Sequence, residues 1–275
     1  MSTHATSQRI TIPQIRSTKG RGRLVSLTAY TTPMAKLMDE LVDIIIVGDS
    51  TGMVAYGMDS TLPVTLDMMI NHGKAVTRGA SRACVIIDMP FSTYQESPQQ
   101  AYRNAAKVMA ETGAQGLKLE GGIEMLETVD FLTSRGIPVM PHIGLMPQYV
   151  NAMGGFKFQG RTPDEIERLV ALSLELEKCN AFSLLIEGTC EEAARKITNS
   201  VKIPTIGIGA SPECDGQVLV TEDALGLFSD YTPRFAKQYI DLSALIRESF
   251  ARFEDDVRSG AFPTLEHCFD VANKS

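Results

Sequence analysis

The sequence predicts a single (β/α)8 barrel, on three observations. Short β-branched apolar runs alternate with amphipathic helical stretches along the chain, as successive strand–helix units require. Eight such runs occur, at 24–27, 44–47, 84–87, 116–119, 138–140, 183–186, 205–208 and 217–220. The length of 275 residues suits a fold that takes roughly 250. The runs are almost continuously apolar, which fits parallel strands covered on both faces. A doubly wound open sheet is the alternative built from the same units.

Taken in order, residues 1–22 read as a tail and an N-terminal helix, with Ile10, Ile12 and Ile15 leading into the first strand. The first 38 residues lack Asp and Glu, which also occurs in transit peptides. The isoleucines run directly into the barrel, so no removable segment is expected. Thr65 is placed as the cap of a helix over 66–78. Ser97-Pro98 reads as an N-cap followed by proline at the first helical position, and Gly113 as the stop of that helix. Thr162-Pro163-Asp164-Glu165 reads as a reciprocal capping box. Beyond it, Ile166, Leu169, Val170 and Ser173 share one helical face. One stretch fits poorly. Between Ile208 and Gln217 there is room for at most a turn of helix, less than a usual crossover. Either that helix is vestigial or the eighth strand is misplaced. Residues 234–257 suffice for a closing helix and 258–275 for a C-terminal tail, so 1–275 is expected to be one domain.

Composition narrows the function. Hydrophobic residues are 44% and charged residues 21%, an ordinary globular balance. The net charge of −7 argues against a nucleic-acid partner or an anionic membrane surface. The uncharged stretch 137–156 carries prolines and glycines throughout and is no membrane span. Five cysteines without a CxxC pair suit reduced thiols in a cytoplasmic protein.

The polar residues fall where a barrel keeps its chemistry, at the C-terminal ends of the strands. Asp49 and Ser50 follow the second strand, Asp88 the third, Lys118 and Glu120 end the fourth, His142 the fifth and Glu187 the sixth. Singly, each has a plain structural reading. Asp49 and Asp88 suit helix caps, Lys118 can pair with Glu120 on the same strand face, and His142 suits a hydrogen-bonded core. Together they crowd carboxylates into one mouth, which desolvation and mutual repulsion disfavour. A lysine and a hard divalent cation would offset this, and all-oxygen ligands favour Mg²⁺ or Mn²⁺ over zinc.

Long blocks then carry a resemblance: VGDSTGM at 47–53, DSTLPVTLDMM at 59–69, KLEGG at 118–122, PVMPHIGL at 138–145, GGFKFQGR at 154–161, IPTIGIGA at 203–210 and CDGQVLV at 214–220. The chain resembles the ketopantoate hydroxymethyltransferases from about Ile10 to Asp241. The resemblance implies a barrel of the phosphoenolpyruvate/pyruvate-binding type and a Mg²⁺-dependent transfer. A hydroxymethyl group would pass from 5,10-methylenetetrahydrofolate to 2-oxoisovalerate, giving 2-dehydropantoate for coenzyme A synthesis. It implies Asp49, Asp88 and Glu120 as metal carboxylates, with Glu120 binding directly or through water. It implies Asp49, Ser50, Asp88, Lys118 and His142 about the substrate, and Glu187 as the proton acceptor. It implies a homo-oligomer, a decamer. The sequence departs from the family pattern at Thr31, at Gly188-Thr189-Cys190, and at Met146 and Tyr149, positions that bear on loops and lid. Residues 145–161 are expected to form that lid over the mouth, where folate binds. Two other readings stay open: a metal-dependent carbon–carbon lyase of 2-oxo acids on the same scaffold, and a binding protein without catalysis.

Overall fold

Side-chain alternation along the strands decides the architecture. The computed structural model describes residues 9–227 and 233–269. The chain opens with α1 (Ile12–Ser17), β1 (Leu24–Thr28), α2 (Thr32–Met38), β2 (Ile44–Val47), α3 (Thr51–Tyr56) and α4 (Leu66–Gly79). It continues through β3 (Cys84–Asp88), α5 (Pro98–Thr112), β4 (Gly116–Glu120), α6 (Leu126–Thr133), β5 (Val139–Gly144), α7 (Val150–Met153) and α8 (Pro163–Lys178). Then follow β6 (Leu184–Glu187), α9 (Glu191–Ser200), β7 (Thr205–Ile208), β8 (Gly216–Leu219), α10 (Thr221–Leu225) and α11 (Leu242–Ser259). The eight strands close into a parallel barrel in sequence order, β8 pairing with β1.

Successive side chains on a strand point to opposite faces. Ile44, Ile46, Cys84, Ile86, Met140, Leu185, Ile206, Ile208 and Val218 form one cluster inside the barrel. The residues between them, such as Ile45, Val47, Val85, Ile87, Leu117, Ile143 and Ile186, pack in the layer shared with the helices. The inner row continues at the strand ends as Asp88, Lys118, Glu120, His142 and Glu187.

The N-terminal helix does more than lead into β1. Ile15 is buried within the inner cluster, with Ile10 and Ile12 against it, so α1 covers the end of the barrel opposite the polar rim. Thr11 and Gln14 close its capping box. Lys19 Nζ holds the following segment, donating to Asp215 Oδ2 at 2.8 Å and to Thr198 O at 2.6 Å. Truncating a buried isoleucine such as Ile15 to alanine typically costs about 2–5 kcal/mol.

Several expectations hold in detail. Thr65 accepts from Met68 N and Ser97 from Gln100 N. Gly113 ends α5 at φ 73°. Three points are corrected. First, no helix lies between β7 and β8, yet the eighth strand is correctly placed. The short loop is pinned by Asp215, whose Oδ2 accepts from Thr205 N at 2.9 Å. Second, Thr162 accepts from Glu165 N, but the Glu165 carboxylate turns to Arg161 N at 2.7 Å, so the box is not reciprocal. Third, the last long helix starts at Leu242, capped by Asp241, and not at Arg234. The chain divides into two compact units, residues 1–221 and 222–275. All eight strands lie in the first unit, and α11 lies in the second. Among the described residues no helix is long and apolar enough to cross a membrane.

Candidate active site

Strand register sets the site. Asp88 pairs with Lys118, Glu120 with His142 and Gly144 with Glu187, so neighbouring strands deliver the polar row at adjacent positions. Asp49 and Ser50 follow β2, where α3 begins without a side-chain cap. Asp49 therefore does not cap that helix. Gly144 is required where β5 passes β6. Its φ is +97°, and a Cβ there would lie 2.3 Å from Glu187 O.

The side chains form one connected network. Lys118 Nζ lies 3.2 Å from Asp88 Oδ2 and 3.1 Å from His142 Nδ1. The pairing with Glu120 that strand parity allows is not made. Asp88 Oδ2 also accepts from Asp49 N at 3.1 Å. His142 Nε2 lies 2.8 Å from Leu145 O. A carbonyl only accepts, so Nε2 carries the proton and Nδ1 offers its lone pair to Lys118. Burial, reinforced by the Lys118 charge, holds the imidazole neutral, well below its usual range. The same Nε2 lies 3.4 Å from Glu187 Oε2. Ser50 Oγ meets Tyr30 OH at 2.8 Å.

Charge is unbalanced. Burial raises the carboxyls of Asp49 and Glu120, and lifts Asp88 and Glu187 to about 7, while Lys118 pulls each the other way. Burial also works against protonated Lys118, but Asp88, Glu120, Asp49 and Glu187 outweigh it and raise the ammonium above its ordinary value. Asp88 Oδ1 and Glu120 Oε1 are buried without a hydrogen-bond partner. An unpaired buried acceptor is costly, and an unpaired buried charge more so. Two orphaned oxygens in an oxygen-rich, thiol-free mouth fit a hard divalent cation.

A family description, Ketopantoate hydroxymethyltransferase, matches residues 9–265. The chain belongs to the ketopantoate hydroxymethyltransferase family. It is 70% identical over its whole length, and over 99% of the relative's, to 3-methyl-2-oxobutanoate hydroxymethyltransferase 1 of Hahella chejuensis. It is 61% identical to the protein of that name from Burkholderia lata, covering 98% of this chain and 94% of that one. Among solved structures it is similar to 2,3-dimethylmalate lyase, a member of the PEP mutase/isocitrate lyase superfamily. That likeness has TM-score 0.59 and 16% identity, covering 89% of this chain and 87% of the lyase. A putative phosphonomutase from Burkholderia cenocepacia gives TM-score 0.65 at 13% identity, with 88% and 100% coverage. These structures share the barrel.

Within this ketopantoate hydroxymethyltransferase fold, Asp88, Lys118, Glu120, His142 and Glu187 line one mouth as expected. Asp49 joins them through its backbone contact with Asp88, and Ser50 through Tyr30. The three carboxylates expected to hold a metal, Asp49, Asp88 and Glu120, do not form a ready ligand triad. Among the described residues, no three His, Cys, Asp or Glu side chains converge as a metal set. Gln148, which sequence reasoning missed, stands between Asp49 and Glu120. Its Nε2 donates to Asp49 Oδ2 at 2.8 Å and to Met89 O at 2.9 Å, and its backbone N donates to Glu120 Oε2 at 2.9 Å. Tyr94, fully buried, was missed too. Its hydroxyl donates to Gln148 Oε1 at 2.6 Å and accepts from Glu120 N at 3.1 Å. The only local sign of Gln148 is a side-chain amide in an uncharged loop, a sign that Asn151 shares.

Residues 145–161 lie beside these groups. They contain a 3-10 turn at Pro147–Tyr149 and then α7. Gln159 bridges Thr189, two residues past Glu187. The segment leaves β5 just after His142, and Gln159 brings it beside the residues that follow Glu187.

Proposed function

We propose that this chain transfers a hydroxymethyl group from 5,10-methylenetetrahydrofolate to 2-oxoisovalerate, with Glu187 as base and Asp49 and Asp88 as cation ligands. The names of its high-identity relatives support the keto-acid substrate. The observation that carries the cation is the pair of orphaned oxygens, Asp88 Oδ1 and Glu120 Oε1. Asp49 and Asp88 would hold Mg²⁺, with Glu120 directly or through water. When bound, the ion supplies positive charge that stabilises an enolate, an effect worth several kcal/mol.

The chain's own residues do the rest. Lys118, the buried ammonium of the mouth, supports the keto acid's carboxylate or developing enolate oxygen. His142, neutral and tied to Leu145 O, sits between Lys118 and Glu187 and fixes their spacing. Glu187 takes the proton from C3. The freed electron pair forms the new carbon–carbon bond to the one-carbon unit, both of that unit's bonds to folate nitrogen break, and water supplies the hydroxyl oxygen, while the C3 proton and one proton of that water end on the two nitrogens of the departing tetrahydrofolate. The lid at 145–161 is the folate-side cover that keeps bulk water from the enolate. The resemblance supports a cytoplasmic homo-oligomer, a decamer.

Turnover of 2-oxoisovalerate by purified enzyme, assayed with and without methylenetetrahydrofolate and with and without EDTA, tests the proposal. 2-Dehydropantoate should form only with folate and free Mg²⁺. Carbon–carbon cleavage of 2-oxo acids without folate would select the lyase reading instead.

A further inference from the structure

Gln148 spends its whole hydrogen-bonding capacity on this site. Nε2 donates to Asp49 and to Met89 O. Oε1 faces Tyr94 OH at 2.6 Å and accepts from Gln95 Nε2 at 3.2 Å. Its backbone N donates to Glu120. The side chain is buried, at 4% exposure, although it comes from the lid. Among the hydrogen bonds of the described residues, no other lid residue reaches both Asp49 and Glu120.

The amide has a fixed sense. Met89 O can only accept, so the amide nitrogen faces it, and Oε1 takes the Tyr94 OH contact at 2.6 Å, shorter than the 3.1 Å from that hydroxyl to Glu120 O. That leaves Nε2, and not Oε1, facing Asp49. A donor is thereby presented to Oδ2 of Asp49. The lid cannot move without withdrawing both this donor and the backbone N–H on Glu120.

We infer that Gln148 is a positioning residue that ties the lid to the cation-binding carboxylates, so that cation binding and lid order are one coupled event. This rests on the reading of Asp49 and Asp88 as cation ligands. Outer-shell partners that orient metal ligands are typically worth 10–100-fold in affinity, or about 1.4–2.8 kcal/mol at 1.4 kcal/mol per tenfold. Coupling is reciprocal: if the ordered lid favours the cation, the cation orders the lid to the same degree.

The test uses full-length enzyme with Mn²⁺ as the probe, without keto acid or folate. Mn²⁺ affinity is read by electron paramagnetic resonance, and lid order by amide hydrogen exchange over 145–161. In the wild type, Mn²⁺ should slow exchange across the lid. Gln148→Met, similar in length but without a donor, should weaken Mn²⁺ binding about 10–100-fold and abolish the Mn²⁺-dependent slowing. Tyr149→Phe serves as control. It removes the contact of Tyr149 OH with Glu124 Oε1 at 3.3 Å while leaving Gln148 in place, and should bind Mn²⁺ as the wild type does. If Gln148→Met does not fold, Gln148→Asn, which draws the amide back by one methylene, carries the same expectation. Mn²⁺ affinity within threefold of wild type in the Gln148 variant overturns the inference, as does equal weakening in Tyr149→Phe. Failure of the wild type itself to bind Mn²⁺ refutes the underlying cation reading instead.

Discussion

Replacing Glu187 by Gln separates the base from everything around it. The side chain keeps its volume and can still accept near His142 Nε2, which lies 3.4 Å from Glu187 Oε2. It cannot take a proton. A positioned general base is worth roughly a hundred- to ten-thousand-fold, or about 3–5 kcal/mol at about 1.4 kcal/mol per tenfold. The structure offers no substitute in His142. Its Nε2–H is committed to Leu145 O and its Nδ1 faces Lys118. The full loss should therefore be seen. Burial raises Glu187 to about 7, and only the ionised form is a base. Wild-type activity should thus fall as pH drops below about 7, by about tenfold per unit, whereas the variant should lack this limb. The assay isolates the first step. Enzyme, Mg²⁺ and C3-deuterated 2-oxoisovalerate are incubated without folate, and loss of the label is followed by NMR. Wild type should exchange the deuterium, and Glu187→Gln should exchange it at least a hundredfold more slowly with near-normal keto-acid binding. Equal exchange rates would refute the assignment of Glu187 and the geometric argument with it.

Asp88→Asn should raise the Mg²⁺ concentration needed for half-maximal activity, with partial recovery at high Mg²⁺. An unchanged Mg²⁺ requirement would reassign Asp88 to a structural role. Lys118→Ala should raise KM for 2-oxoisovalerate far more than KM for the folate donor, by a few kcal/mol of lost ion pairing in a dry site. Equal effects in steady-state kinetics would point to packing. Asp39 tests stability away from the mouth. It accepts from Ser81 N and Oγ, Arg82 N and Ala83 N. Burial opposes its charge, but these donors outweigh it and hold its carboxyl below the usual value. Its contribution is therefore present above the unfolded carboxylate range and lost as pH falls through the folded one. Asp39→Asn leaves at least one buried N–H unpaired, costing about 1–3 kcal/mol. Urea unfolding at pH 7 should show that loss, and the gap to wild type should narrow toward pH 3.

Much of this molecule is legible in its sequence because the signals are local. Two-residue periodicity divides each strand into two faces, so Ile44 shares a face with Ile46 and Ile45 with Val47, and closure of the barrel turns the first pair inside. The same parity carries Asp88, Lys118, Glu120, His142 and Glu187 to the inner rim. Thr65 and Ser97 act on backbone N–H groups three residues away, and Gly113 ends its helix through its own φ. Each is decided within a single turn.

Tertiary structure decided the pairings. Parity allows Lys118 to meet Glu120, but register sets Asp88 beside Lys118, and the ion pair forms across the strands instead. The Glu165 carboxylate, which the motif assigns to Thr162 N, takes Arg161 N instead, a choice set by the path of the preceding loop. The β7–β8 connection dispenses with a helix because Asp215 is gripped by Thr205 and by Lys19, a residue nearly two hundred positions away. Gln148 is the clearest case. It is 99 residues from Asp49 and 28 from Glu120, and neither propensity nor periodicity acts over such separations. Local chemistry fixes which groups point inward. Only closure of the barrel and the seating of the lid decide which of them share a proton, a charge or a donor.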